Sequence, residues 1–190
     1  MADPIIMRFL VLIGFLFSSN AYAGFLEFNA FYFADTMNMT EASTTNRTFF
    51  ELAVGFSMDK KGDYLVGWNY GSYTATDTST TTASYSSTQM GPRFLFMLNK
   101  AKTWSLGTTY NLVTSAKYSP GGSGVDTTWK GTGIKVDVGY NFDLSGTLIG
   151  IRLNYASGSY NEEITGGTAL GAVSYSRNFI YPSIYTIYNF

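Results

Sequence analysis

The chain has 190 residues, of which 45% are apolar, 17% aromatic and only 13% charged, with no histidine and no cysteine. Twelve basic residues against thirteen acidic ones leave a formal charge of -1. No basic run is present, so a nucleic-acid footprint is excluded. Without cysteine there is no disulfide, thiolate metal site, lipid-anchored thiol or cysteine nucleophile; without histidine the commonest general base and zinc ligand is gone. No cofactor or metal is therefore expected. A soluble domain carries about a quarter charged residues, and the shortfall here implies that something other than water faces part of the surface.

The first element in chain order is an address. Residues 9–17 (FLVLIGFLF) form an apolar run too short to span a bilayer as a helix, followed by Ser18, Ser19, Asn20 and then Ala21-Tyr22-Ala23. This is the build of a secretory signal peptide, with small residues at the two positions a signal peptidase reads. Cleavage after Ala23 is expected, giving a leader over 1–23 and a mature chain over 24–190. Met7-Arg8 makes a better positive start than the acidic stretch before it, so translation from Met1 and from Met7 both remain open.

From Gly24 onward apolar residues recur at every second position in segments of about ten residues, the length a tilted strand needs to cross a bilayer. Over 132–142 the even positions are Thr132, Ile134, Val136, Val138, Tyr140 and Phe142, and the odd ones Gly133, Lys135, Asp137, Gly139 and Asn141. A helix scatters these two sets around its axis, whereas a strand sorts them onto two faces. Eight such segments are predicted: 25–36, 48–58, 64–75, 88–98, 104–117, 129–142, 147–158 and 175–190.

Their connections alternate in length. Asp59-Lys60-Lys61-Gly62-Asp63, Asn99-Lys100-Ala101-Lys102-Thr103 and Asp143-Leu144-Ser145-Gly146 are short hairpin turns, while 37–47, 76–87, 118–128 and 159–174 are long. A transmembrane barrel has this asymmetry, with short periplasmic turns and longer extracellular loops. The fold class is thus all-β, an eight-stranded antiparallel transmembrane up-and-down barrel. Inside hydrocarbon an unpaired backbone group costs several kcal/mol, so the sheet has to close on itself. Eight strands leave an interior that side chains fill. Tyr64, Trp104, Tyr188 and Phe190 fall at the turn end and Tyr32, Tyr70, Trp129 and Tyr155 nearer the loop end, as two aromatic girdles would. Pro92 and Pro182 sit within strands, where each should mark a bulge or a broken pair.

The chain ends in Tyr188-Asn189-Phe190, with Thr186, Ile184 and Ile180 on the same face. This resembles the C-terminal strand of Gram-negative outer-membrane proteins, in which a terminal Phe and an aromatic residue two before it serve as an assembly signal. With the leader and the eight segments, the mature chain is similar to the small OmpA-like and OmpX-like barrels. The resemblance implies an outer-membrane location, contact with membrane lipid and lipopolysaccharide, and assembly by the barrel-insertion machinery, with Tyr188 and Phe190 as the signal. It implies no single activity.

Parity places six charges in the lumen, Glu27, Glu51 and Asp137 against Arg93, Lys135 and Arg152. Asp137 and Arg152 lie five residues from Phe142 and Thr147 respectively, so they are expected to face each other across the hairpin; Glu51 and Lys135 are expected to meet across the lumen. Mutual neutralisation in a filled interior is preferred, because an unpaired buried charge is costly; a selectivity constriction is the alternative. Outer-membrane barrel enzymes place a His at the rim, and this chain has none, so an enzyme is not expected; Glu162-Glu163 reads as a solvated acidic pair whose side chains point apart. Function is assigned instead to surface structure, adhesion or interaction through the loops, with no surface ligand named. The alternative is a narrow passage for small or apolar solutes, similar to OmpW-like proteins, past Leu65, Leu95, Val113 and Leu148. Segments three and four should continue beyond the bilayer as a polar hairpin, 159–174 should fold back over the mouth, and Lys117 and Lys130 stand where lipopolysaccharide phosphates would lie.

Overall fold

The computed structural model describes residues 23–37, 43–77, 83–122 and 124–190. The expected leader lies outside these residues apart from Ala23, which precedes the first strand.

Eight strands follow in order: β1 (Gly24–Met37), β2 (Ser43–Ser57), β3 (Tyr64–Asp77), β4 (Ala83–Met97), β5 (Trp104–Ser119), β6 (Thr127–Leu144), β7 (Thr147–Thr165) and β8 (Thr168–Asn189). Each pairs antiparallel with its neighbour, and β1 pairs with β8 to close the barrel. At the base of that seam the amide of Gly24 donates to the carbonyl of Phe190 at 2.7 Å, and the amide of Phe190 donates back at 2.9 Å.

The period of two sorts the side chains as read from the sequence. Leu52 and Val54 of β2, Val136 and Val138 of β6 and Ile149 and Ile151 of β7 face outward and are exposed, while their alternating neighbours are buried inside. The turn-end aromatics Tyr64, Trp104, Tyr188 and Phe190 and the loop-end residues Tyr32, Tyr70 and Tyr155 are all outward and exposed.

Two of the short turns are built by one device. Asp59 accepts the amides of Asp63 (2.8 Å) and Tyr64 (3.0 Å) on Oδ1 and that of Lys61 on Oδ2. Asn99 accepts those of Thr103 (2.8 Å) and Trp104 (3.2 Å). A short acceptor side chain thereby satisfies donors that the reversing chain leaves unpaired. The third turn is tighter, with Ser145 and Gly146 both at positive φ (55° and 93°), the mirror-image geometry that suits the twist of a hairpin.

At the other end the strands run further than ten residues. β3 and β4 remain paired out to Asp77 and Ala83, the polar hairpin expected there. The segment 159–174 departs from expectation: it does not fold over the mouth. β7 and β8 continue as a ladder to Thr165 and Thr168, with Gly166 and Gly167 both at positive φ between them. The adjacent glycines supply a two-residue turn, and Leu170 stands exposed on the hairpin.

Irregularities interrupt parity at defined places. Pro92 lies in a register shift of the β4–β5 pairing between Met90 and Arg93. A second shift follows between Asn111 and Thr114 of β5, and Leu112 and Val113 both turn outward, 48% and 49% exposed. Val113 therefore does not line the lumen, because the extra residue of the bulge flips its face. Leu65, Leu95 and Leu148 are buried inside as expected. Pro182 causes no shift against β7, where it pairs with Leu153; the break is on its other side, where pairing of β8 with β1 stops at Ala30 and Ile184.

Candidate functional site

The lumen is filled in three layers. At the turn end Phe25, Ala53, Leu65, Leu95, Met97, Leu148, Tyr185 and Ile187 form an apolar floor. At the loop end Phe49, Tyr73, Ala156 and Tyr181 form an aromatic layer, against which Phe31, Tyr85 and Phe179 pack. Between them lie the six charges taken from parity. Glu27, Glu51, Arg93, Lys135, Asp137 and Arg152 are each 2% exposed or less.

Arg93 of β4 is the hub. Its Nε and Nη2 donate to the two oxygens of Glu27 (3.1 and 3.0 Å), and its Nη1 and Nη2 donate to the two oxygens of Asp137 (2.5 and 3.1 Å). Nη1 also reaches Thr109 Oγ1 at 3.3 Å. One planar guanidinium thus clamps two carboxylates from β1 and β6, a geometry that lysine cannot supply. Arg152 of β7 contacts the same two acids, pairing with Glu27 and placing Nε 3.0 Å from Asp137 Oδ1, with its guanidinium carbon 3.7 Å from the centre of the Tyr185 ring. Lys135 pairs with Glu51 across the lumen and lies 3.8 Å from Asp137. Asn29 and Asn69 donate to Glu51 at 3.0 and 2.7 Å. Three acids and three bases so form one continuous cluster, the arrangement that makes burial of charge tolerable.

One sequence expectation is corrected in detail. Asp137 does not sit opposite Arg152; its partner is Asn154, and Arg152 stands across from Gly139. The two-residue turn carries the ladder on to Leu144 and Thr147, which displaces the register by two residues from one anchored at Phe142 and Thr147. The ion pair forms on the diagonal, within reach of a long arginine.

Residues that sequence parity did not single out complete the site. Gly107 of β5 leaves the space the clamp occupies: a Cβ there would overlap Asp137 Oδ1 and lie 2.6 Å from Arg93 Nη1 and Nη2. Gly139 does the same for Tyr185, whose hydroxyl a Cβ would overlap. Both fall at inward positions of their strands, so alternation marks their face, but no one-dimensional pattern shows which long side chain crosses the lumen to fill the gap. In the aromatic layer Phe49 and Tyr181 meet at 4.7 Å and Phe179 stacks on Tyr181 at 5.2 Å. Arg177 lies over the Tyr85 ring at 3.8 Å.

At the rim, the two lysines are already paired: Lys117 with Asp126 at 2.6 Å and Lys130 with Glu162 at 3.6 Å, all about half exposed. Hydrogen bonds from Lys117 and Ser119 hold the Asp126 carboxyl below its ordinary value of 3.8. Glu163 turns away from Glu162 and accepts the Trp129 indole at 2.9 Å. Among the described residues no group of acidic side chains is placed to hold a metal ion.

No protein-family model and no curated protein matches the chain. Among solved structures, it is similar to the crystal structure of Neisserial surface protein A, at 15% identity and a TM-score of 0.50, over 88% of this chain and 97% of that one. It is also similar to the translocator domain of the autotransporter NalP from Neisseria meningitidis, at 11% identity and a TM-score of 0.44, over 96% of this chain and 66% of that one. The β domain of the Bordetella autotransporter BrkA matches at 12% identity and a TM-score of 0.43, over 90% and 99% of the two chains. A closed ring of eight antiparallel strands, with an apolar wall and a filled interior, matched almost end to end by Neisserial surface protein A, gives this chain the fold of an eight-stranded outer-membrane β-barrel.

Proposed function

We propose that the protein is a non-enzymatic outer-membrane barrel whose body is a sealed anchor and whose work is done at the cell surface by its long hairpins. The observation that carries this reading is the paired charge cluster. It lies between an apolar floor below and an aromatic layer above, which supports a lumen closed along its axis. A selectivity constriction needs charges that water and ions can reach, and these are buried. The absence of histidine speaks against the acid–base chemistry of a rim hydrolase.

The same reading takes 1–23 as a cleaved signal peptide and 24–190 as the barrel. It takes Tyr188 and Phe190 as the signal for the barrel-insertion machinery, supported by their outward, stacked rings at 6.1 Å. The surroundings are outer-membrane lipid and lipopolysaccharide. What reaches outward furthest is the β7–β8 hairpin, built from the two longest strands and running up to Gly166 and Gly167, while the β3–β4 hairpin adds a rim rich in Thr and Ser. The outer edges of the β3–β4 hairpin are already paired to β2 and β5, so contact there would be made by its side chains.

The test is electrical and then cellular. Purified barrel in a planar bilayer should pass no steady current; long ion-selective openings would overturn the sealed-anchor reading. Cells carrying the barrel with both hairpins shortened should then lose surface binding as fully as cells that lack the protein, because the barrel body alone does nothing at the surface.

A further inference from the structure

β1 and β8 close the barrel over only part of their length. Their pairing runs from Phe25 with Asn189 to Ala30 with Ile184 and ends there. Above it β1 continues to Met37 paired to β2 alone, and β8 is paired to β7 alone back to Thr168. Pro182 explains the parting. The β7–β8 ladder passes through Leu153 and Pro182 without a shift, so the donor that proline lacks is missing from the β1 side, where an edge strand tolerates it.

A cleft of about 680 Å³ opens at this point, lined among others by Phe31, Phe49, Phe50, Ile151, Pro182 and Ile184. Its volume lies within the roughly 300–1,000 Å³ of small-ligand sites. Phe31 and Phe49 belong to the inward aromatic layer, whereas Phe50, Ile151 and Ile184 are outward residues. The cleft therefore indents the lipid face of the wall as far as the edge of the aromatic layer, whose Phe49 and Tyr181 lie buried behind it. Ser183 is the buried polar side chain of the lining, and its hydroxyl is engaged by Asn154 at 2.8 Å. Six paired residues at the rise and tilt of a barrel strand put the start of the opening about 15 Å above the turn end, and Tyr32 of the loop-end girdle also lines it, so the cleft lies in the loop-end half of the apolar wall.

We propose that the parted β1–β8 seam above Ala30 and Ile184 is a lateral portal that takes the acyl chain of a membrane lipid into the wall as far as the Phe31–Phe49–Tyr181 layer. The inference rests on the outer-membrane reading above. An apolar cleft in the apolar wall faces hydrocarbon, and its lining of Phe31, Phe50, Ile151, Pro182 and Ile184 offers an acyl chain apolar contact and gives a polar ligand little to bind. A second copy of the chain adding a strand to the free edge is the competing occupant; the proline and the apolar depth of the cleft argue against it.

The chain has no cysteine, so single cysteines can carry a bimane fluorophore attached before refolding into phosphatidylcholine vesicles brominated along the acyl chains. Three sites suffice. Ile149→Cys reports insertion, being outward on β7. Phe31→Cys reports the portal. Tyr73→Cys is the control, since Tyr73 lies inward in the same cross-strand row, opposite Phe49 and Ser87, with its strand paired on both sides. The expected result is strong quenching at 149, several-fold stronger quenching at 31 than at 73, and a return toward the control at 31 when Pro182→Val restores the missing donor and lets the seam close. Equal weak quenching at 31 and 73 with strong quenching at 149 overturns the portal alone. Disulfide cross-linking between copies of the unlabelled Phe31→Cys variant, with no quenching at 31 in the labelled one, overturns it in favour of a second copy. Absence of quenching at 149 refutes the membrane reading itself, and the portal with it.

Discussion

Replacing Lys135 by methionine separates a sealed lumen from a wet one by magnitude alone. In the structure the Lys135 ammonium pairs with Glu51 and stands 3.8 Å from Asp137, with both partners buried. Glu51 would retain only the amides of Asn29 and Asn69, neither of which carries charge. Breaking a buried pair by removing one member costs about 3–5 kcal/mol, because a charge is stranded in a medium that cannot solvate it, whereas a pair in contact with water is worth about 0–1 kcal/mol. Glu51→Gln should be costly for the mirror-image reason, although Asp137 would still face the lysine. The double variant strands nothing and should cost well under the sum of the singles. Equilibrium urea titration of barrel refolded into phospholipid vesicles, followed by the fluorescence of Trp68, Trp104 and Trp129, measures all four corners of the cycle. Single variants within about 0.5 kcal/mol of the parent, with additive behaviour, would mean that these charges are hydrated, and the sealed lumen would be refuted.

Gly107→Ala tests the space beneath the arginine clamp. The new methyl would overlap Asp137 Oδ1 and lie 2.6 Å from the Arg93 guanidinium nitrogens, and because that guanidinium is held by two carboxylates it has no free direction to move. The expected loss is about 1–3 kcal/mol in the same titration, the range for overpacking a filled core; an unchanged midpoint would show the cluster to be loose. The rim pair tests pH dependence. Asp126 is held below its ordinary value of 3.8 by hydrogen bonds from Lys117 and Ser119. A carboxyl with a lowered value stabilises the fold above the ordinary value and loses that contribution as the pH falls through the lowered one. Amide protection over 118–128, relative to the intrinsic exchange rate at each pH, should therefore fall on acidification more in the parent than in Asp126→Asn, and parallel curves for the two would remove the carboxylate from the account.

The sequence exposed the barrel because its two determinants are both one-dimensional. A period of two in side-chain polarity and an alternation of short and long connections can be counted along the chain, and all eight predicted segments appear as strands. The six lumen charges were found on the same basis, and all six are inside. Parity failed where the backbone changes its own count. At Leu112 and Val113 an inserted residue sends two successive side chains outward, and no residue type in that stretch announces it. The pairing of Asp137 with Arg152 was displaced for a related reason: the length of the Ser145-Gly146 turn sets the register, and β6 runs two residues further into the turn, to Leu144 opposite Thr147, which moves every pair by two. The hairpin over 159–174 was misjudged because Gly166-Gly167 reads equally as loop or as tight turn, and only the long-range pairing of β7 with β8 decides between them.

The two prolines show how little the residue itself determines. Both remove one donor from a strand. Pro92 remains paired to β3 opposite Trp68, and its effect falls on the β5 side, where the ladder resumes at Arg93 and Thr109 after a shift. A bulge suffices there because β4 and β5 are joined by a short turn at one end and stay paired beyond the irregularity, from Met90 with Val113 to Ser84 with Ser119. Pro182 has no such support. Its partner would be β1, the far end of the chain, held to β8 only by the pairs below Ala30 and Ile184, and no connecting turn limits how far the two edges diverge. The same chemical lesion is thus absorbed where neighbouring strands are contiguous in sequence and becomes an opening where closure joins the first strand to the last. On this argument the portal owes its place to topology, so moving the termini matters as much as changing the proline. A circular permutant that links β8 to β1 with a short turn at the periplasmic end and breaks the chain elsewhere should narrow the cleft even with Pro182 in place, and bimane quenching at position 31 is the measurement that decides it.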